Sequence, residues 1–209
     1  MIPGGDALHV SRSCRLYASR VAGGSLANRS FDANTARGGG VSFIKQNDVT
    51  VAGSLFMNNR SGVLVDGTEV GGWASGLWIN EGTVDLENST FCQNDLDVDG
   101  GGTLTNGTFV ATSLNGGFTV KNSLLVDASC DGTQAGDHNV EWPSGTACAA
   151  GTTFADPDLG APADNGGPTW TMMPGNAAAV SGVGIHCPST DQRGEPRDGA
   201  SCAAGAVEP

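Results

Sequence analysis

A short template that recurs along the chain constrains its fold more than any other feature of the sequence. In residues 84–94 it reads as two apolar positions in alternation, an Asn-Ser bend, an aromatic residue and a second Asn three residues later. Self-similar segments that are too short for a pair of helices are typical of β-solenoids, in which each repeat buries its apolar face against the next. The anchor residues of the copies, separated by 25, 35, 18 and 16 residues, are Phe31, Phe56, Phe91, Phe109 and Leu125.

The chemistry of one copy explains how it folds. Val84 and Leu86 point to one side of an extended strand and Asp85 and Glu87 to the other, which predicts a half-buried strand. Asn88 follows at a corner, where Asn adopts the left-handed backbone conformation more readily than other non-glycine residues. Copies stacked about 4.8 Å apart pair their backbones. Equivalent Asn side chains then form ladders along the stack.

Composition and charge agree with an all-β chain and limit the classes of function that it can have. Glycine accounts for 33 of the 209 residues, and charged residues for only 15%. No window has a sustained 3.6-residue periodicity, so we predict no long helices. The charge is uneven, because residues 1–60 carry seven basic and three acidic groups whereas residues 61–192 carry only Lys121 against sixteen acids. The net charge of −12 disfavours nucleic-acid binding.

The end of the chain has a different character. The template is lost after residue 129, and proline is enriched there. We therefore divide the chain into parallel β-helix coils at residues 1–129 and a C-terminal β-helix end or cap region at residues 130–209.

The cysteines predict disulfides in this C-terminal region. Cys130 and Cys148 enclose one glycine-rich loop, and Cys187 and Cys202 enclose another, so pairing of these neighbours is the simplest of the fifteen connectivities that six cysteines allow. Each such bond contributes on the order of 3 kcal/mol by restricting the unfolded chain. We expect the other two cysteines, at positions 14 and 92, to stay unpaired. Disulfides indicate an oxidising, extracytoplasmic location.

Two groups of motifs resemble those of bacterial protein families. The repeated Phe-x-x-Asn, with three glycines at residues 38–40, resembles the repeats of polymorphic outer-membrane-protein-like right-handed β-helices. The tail is similar to the shared C-terminal region of bacterial choice-of-anchor surface proteins with parallel β-helix repeats. The tail motifs are DNGGP at 164–168, PG at 174–175, DQRGEPR at 191–197 and GAVE at 205–208. The resemblance implies a right-handed parallel β-helix on the cell surface, and turn and cap roles for Asp156, Asp158, Asp164, Asp191 and Arg193.

The clearest candidate for a ligand site is the acidic run at residues 95–100. Asp95, Asp97 and Asp99, followed by a glycine, resemble the opening of a calcium loop, and we predict a calcium site there. The twelfth position is Asn106 rather than a bidentate Glu, so the loop lacks the usual completion. The alternative is an ordinary strand that directs its three carboxylates to water.

Catalytic chemistry has less support in the sequence, and we assign no catalytic residue. A lyase for acidic polysaccharides needs basic groups beside its substrate, whereas Lys45 and Lys121 are the only lysines and the central repeats are acidic. A glycosidase needs two carboxylates across a cleft, for which Asp85 and the Asp95–Asp99 run are candidates. The three histidines are isolated, and no Ser-His-Asp arrangement is recognisable.

We expect a non-catalytic, secreted or surface-displayed bacterial β-helix protein that is adhesive or structural, or contacts glycans through a stiff lateral face. The alternative is a carbohydrate-active β-helix enzyme, either a polysaccharide lyase or a glycoside hydrolase. No apolar run approaches the ~20 residues of a transmembrane helix. Residues 1–10 lack the features of a signal peptide, so we expect a longer secreted precursor. The expected partners are glycans or the surface of a host or neighbouring cell, with calcium as the one candidate cofactor.

Overall fold

The computed structural model describes much of the chain. The described residues are 9–11, 17–18, 22–27, 30–32, 35–36, 41–43, 47–61, 63–65, 68–70, 76–96, 105–106, 110–130, 132–185 and 187–209. Within them the structure is almost entirely strand and turn.

The strands and the one short helix of these residues are named in chain order. They are β1 (His9–Ser11), β2 (Tyr17–Ala18), β3 (Ala22–Ala27), β4 (Ser30–Asp32), β5 (Thr35–Ala36), β6 (Val41–Phe43), β7 (Asn47–Ala52), β8 (Leu55–Met57), β9 (Arg60–Ser61), β10 (Val63–Val65), β11 (Thr68–Val70), β12 (Leu77–Glu87), β13 (Thr90–Cys92), β14 (Asp95–Leu96), β15 (Thr105–Asn106), β16 (Val110–Lys121), β17 (Leu124–Val126), β18 (Ala135–Asp137), β19 (Asn139–Trp142), β20 (Thr152–Phe154) and α1 (Ala177–Val180).

Most strands belong to three sheets that the chain visits in turn. Sheet A has the order β1-β4-β8-β13-β17-β19-β20. Sheet B has the order β18-β16-β12-β6-β2, with β7 also beside β12 and β3 beside β7. Sheet C has the order β15-β14-β9-β5. Every strand contact in sheets A and B is parallel, so each repeat lays its strands beside those of the preceding repeat. The described residues are therefore mostly parallel β-sheet with one short helix, as the prediction of an all-β chain requires.

The predicted anchor residues form one column in sheet A. Phe31, Phe56, Phe91 and Leu125 occupy equivalent register positions on four successive strands. The rings of Phe56 and Phe91 stack with their centroids 4.4 Å apart and their planes 4° from parallel. Because both rings are fully buried, this column is the centre of the inner core.

The copy of the template at residues 104–109 does not form a rung of its own, and this part of the prediction was wrong. Asn106 lies in β15, which is antiparallel to β14, whereas Phe91 pairs directly with Leu125. Phe109 lies outside the described residues. The physical reason is the long parallel register of β12 with β16, from Leu77 to Glu87, which fixes where the next corner falls. The pairing of these two long strands therefore determines the register, although the local sequence matches the template.

The corners follow the predicted chemistry. Asn88 has a φ of 47°, and the equivalent corner positions Gly53, Asn122 and His138 have φ of 53°, 49° and 54°. The backbone N–H of Gly53 donates to the carbonyl of Glu87 in the next repeat, at 3.1 Å. The left-handed conformation predicted for Asn88 is therefore confirmed.

Two polar ladders stabilise these corners from inside. The Ser89 hydroxyl accepts the backbone N–H of Ser54 at 3.3 Å, and the Ser123 hydroxyl accepts that of Ser89 at 3.3 Å. In the second ladder Asn59 Nδ2 donates to Asn94 Oδ1 at 2.9 Å. These bonds satisfy polar groups that the fold buries, and the predicted Asn ladder is confirmed for this pair.

The C-terminal region covers the outer face of sheet A. The strands β8, β13 and β17 are buried at every position, because the column fills one face and a second apolar cluster covers the other. That cluster joins strand residues to a C-terminal set consisting of Met172, Val180, Ala203 and Ala204. Strands that are buried on both faces have continuous apolar sequences, as Leu55–Met57 and Leu124–Val126 do.

The C-terminal strap, residues 202–208, is anchored by backbone hydrogen bonds. The N–H of Gly205 donates to the Asn122 carbonyl at 2.7 Å, and that of Ala206 donates to Thr90 Oγ1 at 2.9 Å. A Cβ at Gly205, whose φ is 98°, would lie 2.9 Å from Thr90 Oγ1 and 3.0 Å from the Cβ of Leu124. Only glycine fits this contact.

The strands continue past residue 129. β18, β19 and β20 add to sheets A and B, and the non-repetitive packing begins after Phe154. The division at residue 129 stays a prediction.

Both predicted disulfides are present. Cys130 pairs with Cys148 and Cys187 with Cys202, at Cα separations of 5.4 and 5.6 Å. Cys92 is a free, buried thiol, as expected, and Cys14 lies outside the described residues. No helix among the described residues is long and apolar enough to cross a membrane.

The Cys92 thiol should be inert while the protein is folded. Burial, helped by the nearby charge of Asp127, raises the pKa of Cys92 to about 12. At pH 8 the thiolate fraction is then on the order of a thousandfold below that of an ordinary cysteine, whose pKa is about 8.5. In a Cys14→Ser background, a thiol-reactive dye should label Cys92 only after unfolding in denaturant. Rapid stoichiometric labelling of the folded protein would contradict this packing.

Candidate functional site

The outward side of sheet B presents polar side chains from neighbouring repeats. The alternation predicted for the strand is confirmed, since Val84 and Leu86 are buried while Asp85 is exposed and Glu87 half-buried. Equivalent positions on neighbouring strands lie in register. We call this surface the lateral face; its outward residues are Thr50, Ala52, Asp85, Glu87, Thr119, Lys121, Ala135 and Asp137.

Side chains on the lateral face contact one another across the repeats. The Thr119 hydroxyl donates to the Asp85 carboxylate. Lys121 Nζ lies 3.9 Å from Glu87 Oε1, and each side chain remains about one-third exposed, at 33% and 32%. An ion pair this open to water adds at most about 1 kcal/mol to stability. The carboxylates, the hydroxyl and the ammonium group of this face therefore contribute little to the stability of the fold and are accessible to a ligand.

The predicted calcium residues lie only partly within the described residues. Asp95 starts β14, where it is in register with Arg60 of β9 and with Asn106 of β15. Asp97 and Asp99 lie outside the described residues. Where side chains are described, no group of three or more His, Cys, Asp or Glu is placed to hold a metal ion. The calcium site stays a prediction.

Sequence reasoning missed a buried carboxylate inside the core. Glu141 is 4% exposed and follows Leu125 in register, so an acid continues the column of apolar anchors. Its carboxylate accepts the backbone N–H groups of Cys148 and Ala149 at 2.9 and 3.1 Å, and the Thr152 hydroxyl at 2.9 Å. Glu141 thus fixes the loop that the first disulfide closes. The sequence contained the information needed to find it, because alternation with Val140 and Trp142 makes position 141 an inward position and this position holds an acid.

Replacing Glu141 by leucine should lower the free energy of unfolding by about 2–3 kcal/mol, because two buried amides and a hydroxyl lose their acceptor. Glu141→Gln keeps one carbonyl oxygen and should cost less. Glu195→Leu, at an exposed position, should change stability by no more than about 0.5 kcal/mol. Urea unfolding measures all three, and a Glu141→Leu variant as stable as the wild type would show that the amides do not need this carboxylate.

The tail motifs meet in a second polar cluster. Asp191 is fully buried, and its carboxylate accepts the Arg193 backbone N–H at 2.7 Å and Nε at 2.9 Å. It also accepts the Glu208 backbone N–H at 3.0 Å. Arg197, which is 7% exposed, donates to the Gly205 carbonyl at 2.7 Å and lies 3.2 Å from the Glu208 carboxylate. This cluster joins DQRGEPR to the strap.

The cluster perturbs the ionisation of its members. Burial alone would raise the pKa of Asp191, but hydrogen bonds from the Glu208 backbone and from Arg193 outweigh burial and hold the pKa below its usual value. Burial lowers the pKa of Arg197, and the charges of Glu208 and Asp191 oppose that change. Both groups serve to hold the strap in place.

The remaining predicted turn residues act locally. The Asp156 carboxylate accepts the Asp158 N–H at 2.9 Å, and the Asp164 carboxylate accepts the Gly166 N–H at 3.2 Å. Asp158 itself has a φ of 47°. The turn roles of these aspartates and of Asp191 are confirmed.

Comparisons of the chain with protein-family models, with curated proteins and with solved structures find no match.

Proposed function

We propose that this chain forms a right-handed parallel β-helix in a secreted or surface-displayed bacterial protein, of the choice-of-anchor kind with polymorphic outer-membrane-protein-like repeats. Its role in this proposal is non-catalytic, and the lateral face is the surface that contacts glycans. The parallel register of the repeats and the two disulfides support this architecture and an extracytoplasmic location.

The observation that carries the proposal is the row of polar side chains on the lateral face. Asp85, Thr119, Glu87 and Lys121 project from neighbouring parallel strands, about 4.8 Å apart, on the side of sheet B opposite the core. Carboxylates and hydroxyls at this spacing suit the hydroxyl groups of an extended saccharide, and the strands beneath keep them fixed.

Retention on immobilised polysaccharides tests the proposal. The variant carries Asp85→Ala and Lys121→Ala together, which leaves the net charge unchanged and removes polar groups from two rows of the face. The matched control carries Ser189→Ala and Thr190→Ala, which also leaves the net charge unchanged and removes two polar groups at exposed positions outside the lateral face. We expect the face variant to lose at least tenfold in affinity for any glycan that the wild type retains, and the control to keep it.

Equal retention of the two variants, or no retention of the wild type on neutral and acidic polysaccharides, would contradict glycan contact by this face.

The proposal includes a calcium ion at Asp95, Asp97 and Asp99. Three carboxylates this close together in the sequence repel one another, so a bound cation should stabilise the fold. Calcium should raise the melting temperature, chelator should reverse this, and Asp→Asn replacement at all three positions should abolish the response. A melting temperature that is the same in calcium and in chelator would contradict the proposed calcium site.

A further inference from the structure

A single Asp-Pro bond joins the strands of the repeats to the C-terminal region. Asp156-Pro157 is the only such pair in the sequence, and it follows soon after β20 ends at Phe154. An aspartic acid side chain can reach its own carbonyl carbon as a nucleophile. The proline nitrogen is a tertiary amide nitrogen, which takes up a proton more readily than other amide nitrogens and so leaves more easily. This bond therefore combines a nucleophile with a good leaving group.

The side chain of Asp156 is held beside this bond. Its Oδ1 accepts the backbone N–H of Asp158 at 2.9 Å. This hydrogen bond closes a ring that contains the Asp156–Pro157 peptide unit, so the carboxyl group folds back over the bond instead of extending into water. Asp156 is exposed, so water can reach the bond. A nucleophile held this close to its target acts at a high effective concentration.

Asn176 contacts the carbonyl group of the same bond. Its Nδ2 donates to the Asp156 carbonyl oxygen at 2.8 Å, and its backbone N–H donates to the Pro157 carbonyl at 3.0 Å. The neighbouring N–H of Gly175 donates to the Asp158 carbonyl at 2.8 Å. These backbone bonds fix the segment that carries Asn176. Its side-chain amide is therefore directed at the oxygen on which negative charge develops when the carbonyl carbon is attacked.

We propose that the chain cleaves itself at the Asp156–Pro157 bond. The Asp156 carboxyl oxygen attacks the carbonyl carbon of the same residue, the proton of the carboxyl group moves to the proline nitrogen, and the C–N bond breaks. The products are a cyclic anhydride at Asp156 and a secondary amine at Pro157. Water then opens the anhydride to the side-chain and α-carboxyl groups, so the net change is hydrolysis of a peptide bond. The proposal does not depend on glycan contact by the lateral face.

Cleavage leaves the C-terminal product attached to the repeats by noncovalent contacts alone. Cys130–Cys148 lies wholly before the bond and Cys187–Cys202 wholly after it, so neither disulfide connects the two products. The hydrogen bonds of the strap and the second apolar cluster still hold the C-terminal product on sheet A. Self-cleavage therefore changes this cover from a permanent part of the chain into a separate piece that can dissociate.

Incubation of the purified full chain at about pH 5 tests the proposal, because an ordinary Asp side chain is then partly protonated and Asp191 still stabilises the fold. We expect fragments of residues 1–156 and 157–209, which separate on a denaturing gel without reductant and are identified by mass. The folded protein should be cleaved at least tenfold faster than the same chain unfolded in urea, where Asn176 no longer contacts the bond. Cleavage should slow as the pH is raised to about 7, because the carboxyl group then loses the proton that it must transfer.

Two variants separate the roles of the contacting groups. Asp156→Asn keeps an acceptor for the Asp158 N–H but removes the carboxylic acid, and Asn176→Ala removes the donor to the carbonyl oxygen. Each should slow cleavage at least tenfold. Asp164→Asn is the matched control, since Asp164 is also exposed and also accepts a local N–H, from Gly166, but does not precede a proline. It should be cleaved at the wild-type rate.

A folded wild type that is cleaved no faster than the unfolded chain would overturn the proposal. Cleavage of folded Asp156→Asn at the wild-type rate would also overturn it. Circular dichroism in the same buffer shows whether each variant is folded. If a variant loses the fold, the ratio of the cleavage rates of folded and unfolded wild type decides the question.

Discussion

Replacing Phe91 by alanine is expected to lower the free energy of unfolding by about 3–5 kcal/mol. Phe91 is 1% exposed in the middle of the column, between Phe56 and Leu125, so neither neighbour can close the space that its ring leaves. The loss includes the stacked contact with Phe56 at 4.4 Å, and such contacts contribute about 0.5–1.5 kcal/mol beyond buried area. Chemical denaturation followed by circular dichroism measures the change.

Phe154→Ala is the control for this prediction. Phe154 lies on the same face of sheet A but is 39% exposed at the end of the stack, so its removal should cost well under half as much. Phe91→Leu keeps most of the apolar volume and should also be milder. Equal losses at positions 91 and 154 would show that the column is not the centre of the core.

Replacing Asp191 by alanine should cost about 3–5 kcal/mol, because it breaks a buried ion pair and leaves its donors unpaired. The carboxylate lies 2.7 Å from Arg193 Nη2 and accepts the backbone N–H of Glu208, so its loss also loosens the strap over sheet A. Asp198→Ala is the control, since Asp198 is exposed and accepts one local N–H, from Ala200. It should cost less than about 1 kcal/mol.

The contribution of Asp191 should depend on pH in a defined direction. Its pKa is lower in the folded protein than the ordinary value of 3.8, so its carboxylate stabilises the fold fully above that value. The stabilisation is lost as the pH falls through the folded pKa, because protonation then removes the charge that Arg193 and the amides bind. The stability difference between wild type and Asp191→Asn should be constant above about pH 5 and shrink at lower pH. A difference that is constant down to pH 2.5 would contradict this role.

The sequence predicted the features of the fold that depend on a few adjacent residues. Alternation placed Val84 inside and Asp85 outside, and the corner chemistry of Asn88 required its positive φ. The disulfides followed from the short spacing of Cys130 with Cys148 and of Cys187 with Cys202. In each case the preference of a few nearby residues determines the feature, so a pattern in the sequence is enough to predict it.

The features that were missed depend on competition between distant segments. Residues 104–109 match the template, yet the register of β12 with β16 overrides the match. The burial of both faces of sheet A arises from a strap almost 80 residues beyond Leu124, and Glu141 gains its hydrogen bonds only when the loop after it folds back. The first two features involve partners that no short window of the sequence contains, whereas the partners of Glu141 lie only 7 to 11 residues away and reach it because the loop folds back.

Product release from a panel of neutral and acidic polysaccharides, in calcium and in chelator, tests the proposed function most directly. A protein that contacts glycans without cutting them should retain at least one polysaccharide and release neither reducing ends nor unsaturated products from any of them. Release that disappears when Asp95, Asp97 and Asp99 are replaced together by Asn would contradict the proposal. The chain would then be a carbohydrate-active enzyme whose site includes these three residues.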